Sequence, residues 1–283
     1  QSDVSLTDLS KLKGKFAVEA DKIQIGDDSI KQFTLKGSKK GKSINLDLAS
    51  RGNYGREFDL DLSAEYFYAS KALKLVNGRG SYASMHFAWK DAINIDFGSQ
   101  KISLRGKNIH LAQGKMNINF SMQKNKIQGE MSLNSLEISA LPLRQVKTMQ
   151  GSLDGDFSIS GRASSPNISF SCEVPDLEPL AYINSADKSA SISLQGEYKA
   201  NNMSLDLNIQ RRRQDILSGK LEIPLVFSLS PYRFDPEQGM LGELSSKLGL
   251  KWVSEVLALQ GQLFTGELNS NLNISGSLFH PII

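Results

Sequence analysis

Apolar and polar residues alternate one for one along most of this chain. Ile44, Leu46 and Leu48 flank Asn45 and Asp47, and Phe58, Leu60, Leu62 and Ala64 flank Asp59, Asp61 and Ser63. The same period carries Ile93, Ile95 and Phe97, then Met116, Ile118, Phe120 and Met122, and later Leu205, Leu207 and Ile209. Successive side chains of a β-strand point to opposite faces, so each run predicts a strand with one apolar and one wet face. A parallel sheet covered on both sides would show unbroken Val/Ile/Leu runs; these are missing, and the pattern predicts an antiparallel meander. About 18 to 22 strands are expected. Helix is scarce. Only Pro142 to Met149, Pro179 to Ala186 and Lys251 to Ala258 mix apolar and polar residues at helical spacing, each for a turn or two.

Glycines punctuate the runs. Gly37 and Gly41, Gly52 and Gly55, Gly78 and Gly80, then Gly98, Gly106, Gly114 and Gly129 fall between or at the ends of alternating segments. Tight hairpins need positive φ, so hairpins are expected there. An internal repeat is superimposed on this rhythm. Leu153, Phe157, Ile159, Gly161, Pro166 and Ile168 recur at the same spacing as Leu268, Leu272, Ile274, Gly276, Pro281 and Ile283, with a weaker echo at Leu12, Phe16 and Val18. Each full copy reads as a strand ending at the Gly, then a loop to a Pro that opens the next strand at an edge. Such a repeat suggests a sheet that grows by addition.

The stretch Gly151 to Gly161 with Pro166-Asn-Ile168, the stretch Glu222 to Pro231, Gly239-Met-Leu-Gly-Glu-Leu, and the terminal Ile274-Ser-Gly276 with Pro281 together resemble the repeated element of the TamB family. TamB proteins are the inner-membrane-anchored, periplasm-spanning components of the translocation and assembly module of diderm bacteria, and belong with the AsmA-like bridge-type lipid-transfer proteins. The resemblance is patchy over 1–130 and better over 131–283. It departs at the first copy, which lacks both Gly and Pro. It implies an all-β fold: a long, mostly antiparallel sheet curled into an open U-shaped trough with an apolar interior, a "β-taco". It also implies movement of phospholipid between membranes or a part in outer-membrane protein assembly, a periplasmic location, a parent protein anchored in the inner membrane, and an outer-membrane partner barrel of the BamA/TamA type.

The alternation alone leads toward lipid by another path. A sheet with one apolar face must cover it. Helices are too few, and some 20 strands exceed the usual sandwich. A single sheet bent into a U would leave an apolar channel in which acyl chains fit, because they need only apolar contact. At about 0.8 kcal/mol per methylene, a chain of about 16 carbons is held by roughly 10 kcal/mol before ordering costs. Uniform walls would let it slide. The expected lipid-facing residues are Ile44, Leu46, Leu48, Phe58, Leu60, Leu62, Ile93, Ile95, Phe97, Met116, Ile118, Phe120, Met122, Phe157, Ile159, Leu205, Leu207, Ile209, Leu272 and Ile274. The competing expectation is a filled core, in which Phe58, Trp89, Phe97, Phe120 and Phe157 close the space by packing on each other. The organisation expected is one elongated segment over 1–283, with sub-repeats over 1–130, 131–235 and 236–283.

Composition changes this picture little. Lys and Arg total 33 against 30 Asp and Glu, a net charge of +3 that does not suggest a nucleic-acid partner. The chain opens Gln-Ser-Asp with no initiating Met, and reads as a segment of something longer. The single cysteine, Cys172, follows Ile168 and Phe170 at period two and is expected on the apolar face as an inert thiol. His86, His110 and His280 have no Cys, Asp or Glu at ligand spacing, so neither metal nor cofactor is expected. No G-x-S-x-G turn appears, and no enzyme is expected. Arg211 to Arg213 could meet a phosphate, though a solvated hairpin end beside Asp215 is the plainer reading. The runner-up function is a chaperone-like scaffold that offers strand edges to outer-membrane protein precursors by β-augmentation. A polysaccharide-active β-solenoid is a distant third.

Overall fold

The computed structural model describes residues 14–26, 28–98, 101–141, 149–179, 189–211, 213–235, 239–250, 266–277 and 280–282. The fold is all-β and antiparallel, with 22 strands among the described residues. The three stretches expected to be helical lie outside the described residues, except at their margins. Contacts divide the chain into two units, 1–124 and 125–283.

Unit 1 runs through β1 (Lys15–Ala20), β2 (Ile23–Ile25), β3 (Asp28–Lys40), β4 (Ser43–Tyr54), β5 (Arg56–Phe67), β6 (Ala72–Tyr82), β7 (Met85–Trp89), β8 (Ile93–Gly98), β9 (Lys101–Leu111) and β10 (Gly114–Gln123). It is an antiparallel meander from β3 to β6 and from β9 to β10, and β1 and β2 share the free edge of β3. β7 and β8 together fill one strand position between β6 and β9, interrupted at Lys90–Ala92. Register shifts sit beside this break, between Ser63 and Ala64 and between Met116 and Ile118. Bulged strands bend, so this row of irregularities creases the sheet. Asn108, at φ 51, pins the crease. Its N–H donates to Asn117 Oδ1 at 2.9 Å and its side-chain amide to Asp91 Oδ2 at 2.8 Å. The core of the unit, Trp89, Ile93 and Ile109, lies at that crease, packed by Leu60, Leu62, Leu75 and Met116.

Unit 2 runs through β11 (Lys126–Glu137), a 3-10 turn (Ile138–Ala140), β12 (Met149–Gln150), β13 (Ser152–Arg162), β14 (Ser165–Pro179), β15 (Ala190–Lys199), β16 (Asn202–Arg211), β17 (Gln214–Pro224), β18 (Val226–Leu229), β19 (Tyr232–Asp235), β20 (Leu241–Gly249), β21 (Glu267–Ser277) and β22 (His280–Ile282). Pairing proceeds β11–β13–β14–β15–β16–β17–β20–β21–β22. The internal repeat is structural. Gly161 stands opposite Pro166 and Gly276 opposite Pro281, in the same register, each Gly at positive φ (98 and 92). Between β17 and β20 the hairpin β18–β19 folds over one end of the apolar face. Its Phe227 packs edge-on against Tyr198, rings 6.0 Å apart, in a core with Ile223, Leu225 and Met240. Tyr198, 1% exposed, accepts the Phe227 N–H at 2.9 Å. Tyr198→Phe leaves that N–H without an acceptor, and is expected to lower stability by about 1–3 kcal/mol, read as a shift in denaturation midpoint.

Several glycines stand elsewhere than expected. Gly41 and Gly55 do make turns, at φ 59 and 62. Gly37, Gly52, Gly78, Gly80, Gly106 and Gly129 instead lie within strands, aligned with apolar residues of the neighbouring strand. The reason is close approach. A Cβ on Gly78 would stand 2.2 Å from the Trp89 ring, and one on Gly37 2.2 Å from the Phe16 ring. These aromatic side chains lie flat on the sheet because the residue beneath has no side chain, the pairing that rescues a glycine in a strand.

Candidate functional site

The register decides which side chains share a face, because directly paired residues point the same way. In unit 1, Leu35 pairs with Leu48, Leu48 with Leu62, and Leu62 with Gly78 beneath Trp89. Ile95 pairs with both Leu73 and Leu104, and Leu104 with Phe120. Followed outward, these pairs place all thirteen expected residues of unit 1, from Ile44 to Met122, on one face. In unit 2 the row Phe157–Phe170, then Cys172–Leu194–Leu207, does the same for Phe157, Ile159, Leu205, Leu207 and Ile209, and the pairs Leu244–Leu272 and Gly242–Ile274 add the last two.

Within each unit this face is only partly covered. Of the twenty expected residues, Ile44, Ile93 and Ile159 are buried, while Phe97 is 45% and Leu272 39% exposed. The other fifteen are half-buried. Of the five rings that could have closed a filled core, Trp89 alone is buried. The face also carries residues the alternation did not mark: Phe33 and Leu35, Leu73 and Leu75, Phe87 and Ile109, Phe170 and Leu194. Many stand next to a bulge or a face-lining glycine, which breaks the period in the sequence. The serine pair Ser246–Ser270, bonded at 2.7 Å, interrupts the apolar face near β20–β21.

The opposite face is polar and internally paired. Arg51 meets Asp59 at 2.9 Å, Arg79 meets Asp61 at 3.5 Å, Ser63 donates to Asp47 and Ser103 to Asp96, both at 2.7 Å, all across neighbouring strands. The two exposed ion pairs add little stability, whereas the Ser103 hydroxyl is buried; together these bonds engage polar groups on their own side. Arg211 and Arg213 flank the β16–β17 turn, where Asp215 accepts from Gln210 at 2.8 Å; Arg212 lies outside the described residues. His86, His110 and His280 are exposed. Among the described residues no three of His, Cys, Asp and Glu come together as metal ligands would.

Cys172 lies on the apolar face between Gly155 and Leu194, half-buried. Burial pushes its thiol up from the ordinary range. Less thiolate is therefore present at neutral pH. Labelling of Cys172 by a maleimide is expected to run several-fold slower than that of an unstructured cysteinyl peptide and to accelerate as pH rises past the usual thiol range. Occupation of the face by an acyl chain should slow it further.

Compared with protein-family models, curated proteins and solved structures, the chain matches none.

Proposed function

We propose that this chain is a non-enzymatic lipid-binding segment. The apolar face of each unit shields the acyl chains of phospholipid, as part of a periplasm-spanning, inner-membrane-anchored protein of the TamB or AsmA-like kind that carries lipid between inner and outer membranes. The observation that carries the reading is the incompletely covered apolar face of each unit, with fifteen of twenty expected residues left half-buried and two exposed. Such surface in water is unfavourable by about 25 cal/mol per Å² and calls for an occupant. An acyl chain suits it because the polar groups lie almost wholly on the other side, so nothing specific need be satisfied along its length. A photo-crosslinking residue at Phe120 is expected to capture phospholipid, and one at the neighbouring Asn119, on the polar face, to capture none. Equal capture at both positions, or none at either, removes the support for this reading.

The β-augmentation alternative has one observation of its own. β22 pairs with β21 only over Ser275–Ser277, and among the described residues no strand covers the same edge of β21 from Glu267 to Ile274. Gly276 gives its carbonyl to Met240 on the β20 side, so the main-chain groups of Asn269, Asn271 and Asn273 turn to the open edge. No charged residue guards the edge from Leu268 to Ser277. A crosslinker at Asn271 that captures outer-membrane precursor strands, with Phe120 silent toward lipid, would favour the scaffold reading.

A further inference from the structure

Among the described residues, the apolar face of unit 1 holds a polar side-chain group with nothing to bond. Trp89 is 7% exposed, and its indole Nε1 is enclosed without a hydrogen-bond partner among the described residues. The ring lies against Gly78, where a Cβ would meet Cζ2, Cη2 and Cε2 at 2.2, 2.3 and 2.7 Å, and it stacks on Phe87 at 6.4 Å with 9° between the planes. Two glycines facing the same side, Gly78 and Gly80, make room for these two rings, so the indole is seated by design of the sheet beneath it. The side chains packed in the same cluster, among them Leu60, Leu62, Leu75 and Met116, hold no oxygen or nitrogen acceptor; the Met116 thioether is only a weak one, and the indole N–H makes no bond to it. An indole N–H donates only, and one left unpaired in an apolar surround is penalised by the loss of its bond to water. A phenylalanine would fill the seat without that penalty.

We propose that the Trp89 N–H is a polar stop in the apolar floor and that it bonds the ester carbonyl oxygen of an acyl lipid lying along the face. The inference rests on the lipid reading above and narrows its ligand class to ester-bearing lipids. To reach the group the lipid displaces side chains packed on this cluster, of which Met116, half-buried and unbranched, repacks most readily. Uniform apolar walls let a chain slide; one donor at the crease gives it a resting place where the glycerol backbone pauses. The bond is non-covalent and involves no proton transfer.

The test compares a diester phosphatidylglycerol with the diether phosphatidylglycerol of the same chain lengths, which lacks only the carbonyl oxygens. Binding is followed through the Trp89 emission of a Trp252→Phe variant and, independently of fluorescence, by native mass spectrometry. The diester is expected to bind about five- to tenfold more tightly than the diether, and Trp89→Phe to erase that preference. Equal affinity for both lipids in the protein with Trp89 intact overturns the inference and leaves the groove standing. Binding of neither lipid overturns the groove reading itself. If Trp89→Phe fails to fold, the diester-against-diether comparison in the Trp252→Phe protein decides alone.

Discussion

Gly78→Val is expected to lower the stability of unit 1 by about 3 kcal/mol or more. The position looks permissive in sequence, a glycine in an ordinary β pattern. In the fold, a Cβ there stands 2.2 Å from Trp89 Cζ2, closer than two carbons can approach. Trp89 cannot yield cheaply, because it is packed with Ile93 and Ile109 at the crease on which the meander turns. Arg79→Val is the control. Arg79 is next in the same strand, its side chain is 80% exposed, and it gives up only a 3.5 Å pair with Asp61, so its effect is expected within about 1 kcal/mol. Adding Trp89→Ala to Gly78→Val should restore part of the loss, a coupling that denaturation midpoints of the four proteins in a double-mutant cycle would show. Additive effects would mean that the ring does not rest on the glycine.

The second large effect falls on binding. Ile118→Arg in unit 1 and Leu207→Asp in unit 2 each put a charge on the apolar face at half-buried positions. The free protein is expected to stay folded, because each charged end can reach water. An acyl chain laid over it must strip that water away without supplying a partner, which costs several kcal/mol, so lipid affinity is expected to fall at least about 100-fold. Asn119→Arg, one residue along on the exposed polar face, should change binding little. Retention of lipid by both groove variants with intact circular dichroism would remove the face from the function.

Strict alternation such as Phe58-x-Leu60-x-Leu62 places the strands and their apolar side, since a period of two survives wherever the pleat is regular. The repeat was legible too: Gly161 opposite Pro166 and Gly276 opposite Pro281 are the same hairpin twice. Glycine misleads, because the residue that makes a turn at Gly41 is the one that makes room for a ring at Gly78, and a sequence does not show which. Bulges mislead in another way. Leu75 and Gly78 share a face although three positions apart, because the register slips between them. The β18–β19 hairpin over Tyr198 and the unpaired N–H of Trp89 depend on contacts far apart in the chain, and no local pattern marks either.

Whether the apolar face holds lipid is decided by mass spectrometry of the organic extract of this chain purified without detergent, alongside Ile118→Arg and Leu207→Asp. Phospholipid is expected in stoichiometric amount from the unmodified chain, with a marked loss from both variants. Extracts carrying no more phospholipid than those of an unrelated soluble protein prepared in the same way would contradict the lipid reading.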